Sequence, residues 1–282
     1  IRFFFSFSAL RNSIKTKKSS NELYLNTYHF SANKISTQEI VNEIDEKGFS
    51  ETFKLNKDIK DKILFECLTN GEFETKKITS GINIENLKMS KNENLDNYIN
   101  KLSEYKISRI TKTLNLDNEN STLREVILSK EILKIAENYL NSKKISVNAS
   151  FFISNPLKIS ESEKYRNAQY FHWDNDFTKF FKMYIYLNDV DDNNGPHIYI
   201  PHTHKIKKNE NKLCRLYSDT NIKDNYKVSK TFLGSAGSTF FVDSYGIHKG
   251  LTPINNYRLM LNIHFGRGKI LYSKFDKYIE LK

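Results

Sequence analysis

Apolar residues recur at helical spacing through much of the first half of the chain. Thr37, a residue type that caps helix N-termini, is expected to be the N-cap of a helix that ends at Gly48. Its apolar positions share one helical face: Ile40, Val41 and Ile44. Further runs with the same period are Asp58–Leu68, Ser121–Leu128 and Lys130–Leu140. The pattern therefore predicts a helical first half, interrupted at residues 70–100 by a polar surface segment.

From about residue 145 the apolar period shortens to two, as expected for half-buried strands. The segment 145–153 alternates in this way. Further strand-like runs are 168–173, 180–187, 197–201, 229–233, 238–243 and 257–265. Because no helical pattern separates these short runs, they favour an antiparallel sandwich or jelly roll. The fold class predicted is mainly β with a helical N-terminal half.

The length of 282 residues suits one large domain with a helical elaboration. We expect a single domain over residues 21–282, with a helical part at 37–142 and a β core at 145–268. Residues 1–20 are predicted to be a truncated or flexible N-terminal segment. Their apolar stretch precedes the basic residues, which is the reverse of the order in a secretory signal.

Composition changes the predicted fold class and domain organisation little. Aromatic residues make up 13% of the chain, which excludes wholesale disorder. The net charge of +11 arises from lysines spread along the whole sequence, so nucleic acid is not the expected ligand. Cys67 and Cys214 form neither a disulfide framework nor a thiolate metal motif, which is compatible with a reducing, cytoplasmic location. No run approaches the length of about 20 apolar residues that a membrane helix needs.

The candidate chemistry lies in the β-rich half, where a strand-like run ends in His172-Trp173-Asp174. Alternate residues of a strand share a face, so His172 and Asp174 should project together. They would supply two ligands of the 2-His-1-carboxylate site typical of non-haem Fe(II) oxygenases. His248, which follows another predicted strand, is the candidate third ligand. An isolated HxD motif occurs often by chance, and a hydrogen-bonded histidine beside a solvated aspartate is the open alternative.

Arg258 strengthens the metal-site interpretation. It follows His248 by ten residues and begins the next predicted strand. A guanidinium at this position can bind a dicarboxylate through two parallel hydrogen bonds, which a lysine cannot reproduce.

Residues 146–266 resemble the phytanoyl-CoA dioxygenase-like branch of the Fe(II)- and 2-oxoglutarate-dependent oxygenases. The segments that carry the resemblance are Phe171–Asp174, Tyr184–Pro196, His197–Lys205, Gly237–Asp243, His248–Gly250 and Tyr257–Phe265. The resemblance implies a double-stranded β-helix, a jelly roll like that of cupins, buttressed by helices. It also implies Fe(II) held by His172, Asp174 and His248, with 2-oxoglutarate and O₂ as cosubstrates. The 2-oxoglutarate C5 carboxylate would then meet Arg258.

Several positions in this region differ from the residues that are usual in the family. Tyr184 stands where many relatives have a tryptophan lining the cosubstrate pocket, although a simply packed aromatic is an equal alternative. The usual Pro-Gly-Ser-His turn is replaced by Pro201–His204. The small hydroxyl residue often found two positions after the distal histidine is replaced by Gly250. Thr252 is the candidate replacement for that hydroxyl.

The remaining histidines of the β-rich half are less informative. His197, His202 and His204 form an H-x4-H-x-H pattern that is open to interpretation as a cupin-like or zinc site. A cupin pattern requires a glutamate three or four residues further on, and Glu210 comes six residues after His204. A second metal site is therefore disfavoured. His264 alternates within a strand and is predicted to be a packed or hydrogen-bonded core histidine.

The sequence favours an Fe(II)/2-oxoglutarate-dependent dioxygenase that hydroxylates a small organic molecule and releases succinate and CO₂. A halogenase of the same fold is one alternative, but Asp174 argues against it because halogenases replace this carboxylate by a small residue. A non-catalytic binding or scaffold protein on a jelly-roll frame is the other. The loops at 70–100 and 206–228 are expected to set specificity. Their lysines favour an anionic substrate weakly, and no oligomeric state is predicted.

Overall fold

The computed structural model describes residues 11, 13–17, 23–31, 35–74, 84–90, 93–158, 160–176, 178–208, 215–267 and 279–281. The first ten residues, Glu210 and Cys214 lie outside these ranges, as do parts of both predicted specificity loops. The α-helices of the described residues are α1 Thr37–Lys47, α2 Lys57–Thr69, α3 Leu95–Glu104, α4 Thr122–Ile127, α5 Lys130–Leu140, α6 Glu161–Arg166 and α7 Asp219–Asn225. Short 3₁₀ helices lie at Ile84–Leu87 and Asp192–Asn194.

The strands form two antiparallel sheets. The strands are β1 Phe53–Lys54, β2 Glu72–Phe73, β3 Arg109–Leu114, β4 Ile145–Ser154, β5 Phe171–His172, β6 Phe180–Tyr186, β7 His197–Tyr199, β8 Leu216–Tyr217, β9 Lys230–Phe232, β10 Ser238–Val242, β11 His248–Gly250, β12 Arg258–Arg267 and β13 Ile279–Leu281. The eight-stranded sheet has the order β1-β10-β6-β12-β4-β3-β2, with β13 also paired to β4. The five-stranded sheet has the order β8-β5-β11-β7-β9. This arrangement confirms the predicted mainly β jelly roll with helices.

The two faces of the eight-stranded sheet differ in chemistry. On β12, Leu259 and Ile263 join the large apolar core that the helices cover. Arg258, Asn262 and His264, which alternate with these apolar residues along β12, are buried on the opposite face. Strand alternation therefore directs a polar row of β12 away from the helices, and this polar face carries the candidate chemistry.

Helix α1 begins one residue earlier than expected. Ser36, not Thr37, is its N-cap: the Ser36 backbone is extended and its hydroxyl accepts a hydrogen bond from the Gln38 N–H at 3.2 Å. Glu39 accepts from the Ser36 N–H and completes a capping box, which explains why the chain uses Ser36 in preference to its neighbour. Gly48 ends α1 in a left-handed conformation, as predicted.

The turn at Pro201–His204 forms hydrogen bonds with the C-terminal end of α1. The imidazoles of His202 and His204 donate to the backbone carbonyls of Glu46 and Asp45, at 2.9 and 3.0 Å respectively. His202 has a φ of 64°, the left-handed conformation that glycine adopts more readily. The turn is therefore retained although histidines replace its usual residues. These histidines donate to backbone carbonyls at the C-terminus of α1 that would otherwise lack hydrogen-bond partners.

The prediction of a surface segment over residues 70–100 is wrong at its C-terminal end. Helix α3 begins at Leu95 and buries Tyr98, Ile99 and Leu102. These three positions have helical spacing, but Asn- and Lys-rich neighbours obscure it. The predicted helical part also contains β3, which pairs with β4 and extends the large sheet.

Arg11 belongs to the folded core, although the sequence places it in the expected flexible segment 1–20. It is 4% exposed and forms an ion pair with Asp243. The domain boundaries themselves stay predictions. Among the described residues, no helix combines the length and apolar character needed to cross a lipid bilayer.

Candidate metal centre and cosubstrate site

The structure brings His172, Asp174 and His248 together. His172 and His248 are directly opposed on the antiparallel strands β5 and β11, and their ring centroids lie 4.3 Å apart. The Asp174 backbone N–H, two residues further on, donates to Ser244 O at 2.9 Å. One nitrogen or oxygen from each side chain lies within 4.8 Å of the others. The three expected ligands thus converge on one point between the sheets.

Backbone carbonyls fix the orientation of both imidazoles. His172 Nδ1 lies 2.8 Å from Tyr170 O, and His248 Nδ1 lies 2.9 Å from Gly246 O. A carbonyl can only accept, so each Nδ1 carries the proton and each Nε2 presents a lone pair. Those Nε2 atoms face Asp174, at 3.7 Å from Oδ1 for His172 and 3.6 Å from Oδ2 for His248.

Electrostatics keep the three groups in the protonation states that metal binding requires. Burial lowers the pKa of His172 to about 4 and that of His248 to about 3, so both imidazoles are neutral at pH 7. Burial alone would raise the pKa of Asp174, but the charge and hydrogen bond of Lys182, together with His248 and His172, outweigh it and lower the pKa well below the usual range. Asp174 is therefore ionised.

Lys182 is the immediate partner of the candidate carboxylate ligand. It lies on β6 of the eight-stranded sheet, and its Nζ donates to Asp174 Oδ2 at 2.6 Å. Burial disfavours the charged ammonium, yet the adjacent Asp174 raises the pKa of Lys182 above its usual value. The ammonium holds one carboxylate oxygen and leaves Oδ1 turned toward His172.

Arg258 is buried beside this cluster, at the start of β12, and is 3% exposed. Its Nε and Nη1 atoms are buried without a hydrogen-bond partner. A Cβ added at Gly250 would lie 3.0 Å from Arg258 Nη2, so the missing side chain at Gly250 leaves room for the guanidinium. Arg258 therefore presents unused donors next to the candidate metal centre.

Tyr184 and Thr252 lie in different surroundings. Tyr184 is 4% exposed and lies on the polar face; burial raises its pKa, and the charges of Lys182, Asp174 and Arg258 also act on it. It therefore borders the candidate centre. The Thr252 hydroxyl lies 2.7 Å from Gln169 Oε1, which is the contact that the structure gives this side chain. A cosubstrate role for either residue stays a prediction.

Sequence reasoning did not identify Arg109 or Lys182. Arg109 opposes Ser154 from β3, and Arg258 opposes the same residue from β12, so the two arginines flank Ser154 in one row. The Arg109 guanidinium packs on the Phe152 ring at 4.2 Å and donates to Asn167 O, while its Nε lacks a hydrogen-bond partner. For Lys182 a signal existed: it alternates with Tyr184 and therefore shares its face.

Comparison with known proteins identifies the family. The sequence profile described as Phytanoyl-CoA dioxygenase (PhyH) matches residues 74–254, which is more than half of the chain. The chain belongs to this family and is a non-haem oxygenase dependent on Fe(II), 2-oxoglutarate and O₂. No curated protein matches the sequence.

Solved structures share the fold at low sequence identity. AviO1 from Streptomyces viridochromogenes Tue57 is 12% identical with a TM-score of 0.52, covering 86% of this chain and all of that one. HygX from Streptomyces hygroscopicus, solved with nickel, 2-oxoglutarate and hygromycin B, is 10% identical with a TM-score of 0.52, over 87% of this chain and 97% of that one. The epimerase SnoN from nogalamycin biosynthesis is 10% identical with a TM-score of 0.53, over 87% and 96%.

The residues present fit the metal and cosubstrate of the family. Two neutral imidazoles and one ionised carboxylate are the donor set that non-haem Fe(II) sites use. The unpartnered Nε and Nη1 of Arg258 are donors available to a carboxylate.

Proposed function

We propose that the protein hydroxylates a small anionic molecule, with Fe(II) held by His172, Asp174 and His248. The observation that carries the proposal is the convergence of these three side chains beside the unpartnered guanidinium of Arg258. When bound, the iron and 2-oxoglutarate supply the oxidising chemistry, in which O₂ is consumed and succinate and CO₂ are released.

The protein's own residues position these reactants. The carbonyls of Tyr170 and Gly246 hold the imidazoles with Nε2 toward the metal. Lys182 turns Asp174 so that one oxygen remains for ligation. Arg258 binds the far carboxylate of 2-oxoglutarate, and Tyr184 closes the side of the pocket next to it.

Arg109 supports an anionic substrate. Burial and, second to it, the positive charge of Arg258 lower its pKa to about 10, so two cations lie close together. A 2-oxoglutarate molecule on Arg258 leaves Arg109 available for a carboxylate, sulfate or phosphate of the substrate. The Asp174 carboxylate occupies the ligand position that a halide needs, which favours hydroxylation over halogenation.

The test is a turnover screen. Protein loaded anaerobically with Fe(II) and 2-oxoglutarate is exposed to O₂ and chloride with a panel of anionic small molecules and their neutral analogues. We expect substrate-stimulated succinate release and products that have gained oxygen, with anionic compounds preferred. His172→Ala, Asp174→Ala and His248→Ala should abolish metal binding in calorimetry, whereas the control His202→Asn should not. Chlorinated products, or full metal binding by the three alanine variants, would contradict the proposal.

A further inference from the structure

His197 is a buried histidine with no role in the site described so far. The structure separates it from the other members of the H-x4-H-x-H pattern, because His202 and His204 bind the end of α1 whereas His197 begins β7. It is 3% exposed, and its Nε2 is buried without a hydrogen-bond partner. Such an orphaned polar atom costs free energy unless a ligand or water satisfies it.

Strand register places the imidazole next to Arg258. His197 is directly opposite Gly250 on the antiparallel strand β11, and opposed residues project to the same face. Gly250 has no side chain, and a Cβ built there would lie 3.0 Å from Arg258 Nη2. The side chain of His197 therefore shares its side of the sheet with the guanidinium.

The ring contacts of His197 place it between the candidate metal centre and Tyr184. Its centroid lies 5.4 Å from that of His248 and 4.9 Å from that of Tyr184. Burial lowers its pKa well below the usual value, and the nearby charge of Arg258 acts in the same direction. A neutral imidazole has one N–H to donate. His197 itself lies outside the cluster of three candidate ligands.

We infer that His197 Nε2–H donates a hydrogen bond to the carboxylate of 2-oxoglutarate that Arg258 binds. The inference rests on the proposed function and adds a cosubstrate-binding residue to it. Arg258 alone offers nitrogen donors from one side of that carboxylate, and His197 adds a donor from β7 of the other sheet. Because the acceptor is ionised, such a bond is stronger than one between neutral groups.

The experiment measures 2-oxoglutarate binding without turnover. Protein loaded with Zn²⁺ under anaerobic conditions is titrated with 2-oxoglutarate by calorimetry, and Zn²⁺ affinity is measured separately. His197→Leu should weaken 2-oxoglutarate binding by about tenfold to a hundredfold, as expected for loss of a hydrogen bond to a charged group. Its Zn²⁺ affinity should stay within about twofold of the wild type, because the metal ligands are untouched.

A further variant separates the hydrogen bond from packing. His197→Gln keeps an N–H donor and should lose less affinity than His197→Leu. His202→Asn, which removes an exposed histidine of the same motif, is the matched control and should bind 2-oxoglutarate like the wild type.

The outcomes distinguish this inference from the proposed function. If wild-type Zn²⁺ protein fails to bind 2-oxoglutarate, the proposed function falls and this inference falls with it. If the wild type binds but His197→Leu binds equally well, only the role of His197 is refuted. Parallel losses of Zn²⁺ and 2-oxoglutarate affinity, or equal losses in His197→Leu and His197→Gln, would indicate a packing role and would also refute it.

Discussion

Arg258 is a buried cation without an anionic partner. Among the described residues, no carboxylate lies within ion-pair distance of it, whereas Lys182 is paired with Asp174. Burial lowers the pKa of Arg258, which reflects the cost of keeping its charge out of water. A dicarboxylate cosubstrate would offset this cost, so binding strength and local stability should both depend on the guanidinium.

We therefore predict that Arg258→Lys raises the dissociation constant of 2-oxoglutarate by about tenfold or more. An ammonium is a point charge and cannot form two parallel hydrogen bonds to a carboxylate. Calorimetric titration of Zn²⁺-loaded protein measures the change. Arg267→Lys, at the other end of β12, is the matched control and should have no effect. An equal loss of metal affinity in Arg258→Lys would indicate that Arg258 supports the fold instead.

At the scale of elements, the end of α1 packs closely against the five-stranded sheet at Gly48. Its φ is 91°, and a Cβ there would lie 2.1 Å from Tyr199 Oη and 2.7 Å from His204 Nδ1. No shift of one flexible side chain can relieve this overlap, because the Tyr199 hydroxyl donates to Asp243 O at 3.0 Å. The close approach therefore requires glycine for two separate reasons, conformation and space.

Gly48→Ala should destabilise the protein by about 2–4 kcal/mol, the sum of the left-handed strain and the overpacking. Urea unfolding followed by circular dichroism gives the value. The control is Gly237→Ala, because Gly237 has a φ of 93° but its nearest neighbour, Leu55 O, is 3.1 Å away. That substitution should cost only about 1 kcal/mol, mainly from the backbone conformation. Equal effects of the two substitutions would show that the overlap at Gly48 relaxes.

The sequence predicted strands better than the surroundings of the site. The alternation over 180–187 and 257–265 was clear because one face of each strand is apolar, and β6 and β12 lie there. Arg109 was not predicted because no local sequence pattern indicates that β3 pairs with β4 and brings Arg109 opposite Ser154. The role of His202 and His204 at the end of α1 depends equally on long-range packing. Local pattern thus located the candidate ligands, whereas their partners required the fold.

At the scale of the whole molecule, Asp243 links distant parts of the chain. Its carboxylate accepts from the Tyr139 hydroxyl of α5 and forms an ion pair with Arg11 from the N-terminal segment. The Tyr245 backbone N–H donates to the same carboxylate at 3.1 Å, in the loop that leads to His248. The Arg11 guanidinium also packs on the Tyr245 ring at 4.5 Å. One buried ion pair therefore supports the loop that carries a candidate ligand.

This pair should make stability depend on pH. Burial opposes ionisation of Asp243, but Arg11, helped by His204 and the hydrogen bonds from Tyr139 and Tyr245, outweighs it and lowers the pKa below its unfolded value. A carboxylate with a lowered folded pKa stabilises the protein above its unfolded pKa of about 4, and this contribution is lost as the pH falls further. Removing the carboxylate leaves Arg11 buried and unpaired, so Asp243→Asn should cost about 3–5 kcal/mol near neutral pH.

Urea unfolding of metal-free protein between about pH 3 and pH 7 tests this, since chelation removes any contribution from metal release. The wild type should lose stability on acidification more steeply than Asp243→Asn, and the two curves should approach each other at the acidic end. The double variant Arg11→Met/Asp243→Asn should be less destabilised than the sum of its single variants, because the second substitution removes the unpaired charge left by the first. Asp224→Asn, an exposed position on α7, is the control and should follow the wild type at every pH. Parallel pH curves for wild type and Asp243→Asn, or strict additivity in the double variant, would mean that Arg11 and Asp243 do not act as a pair.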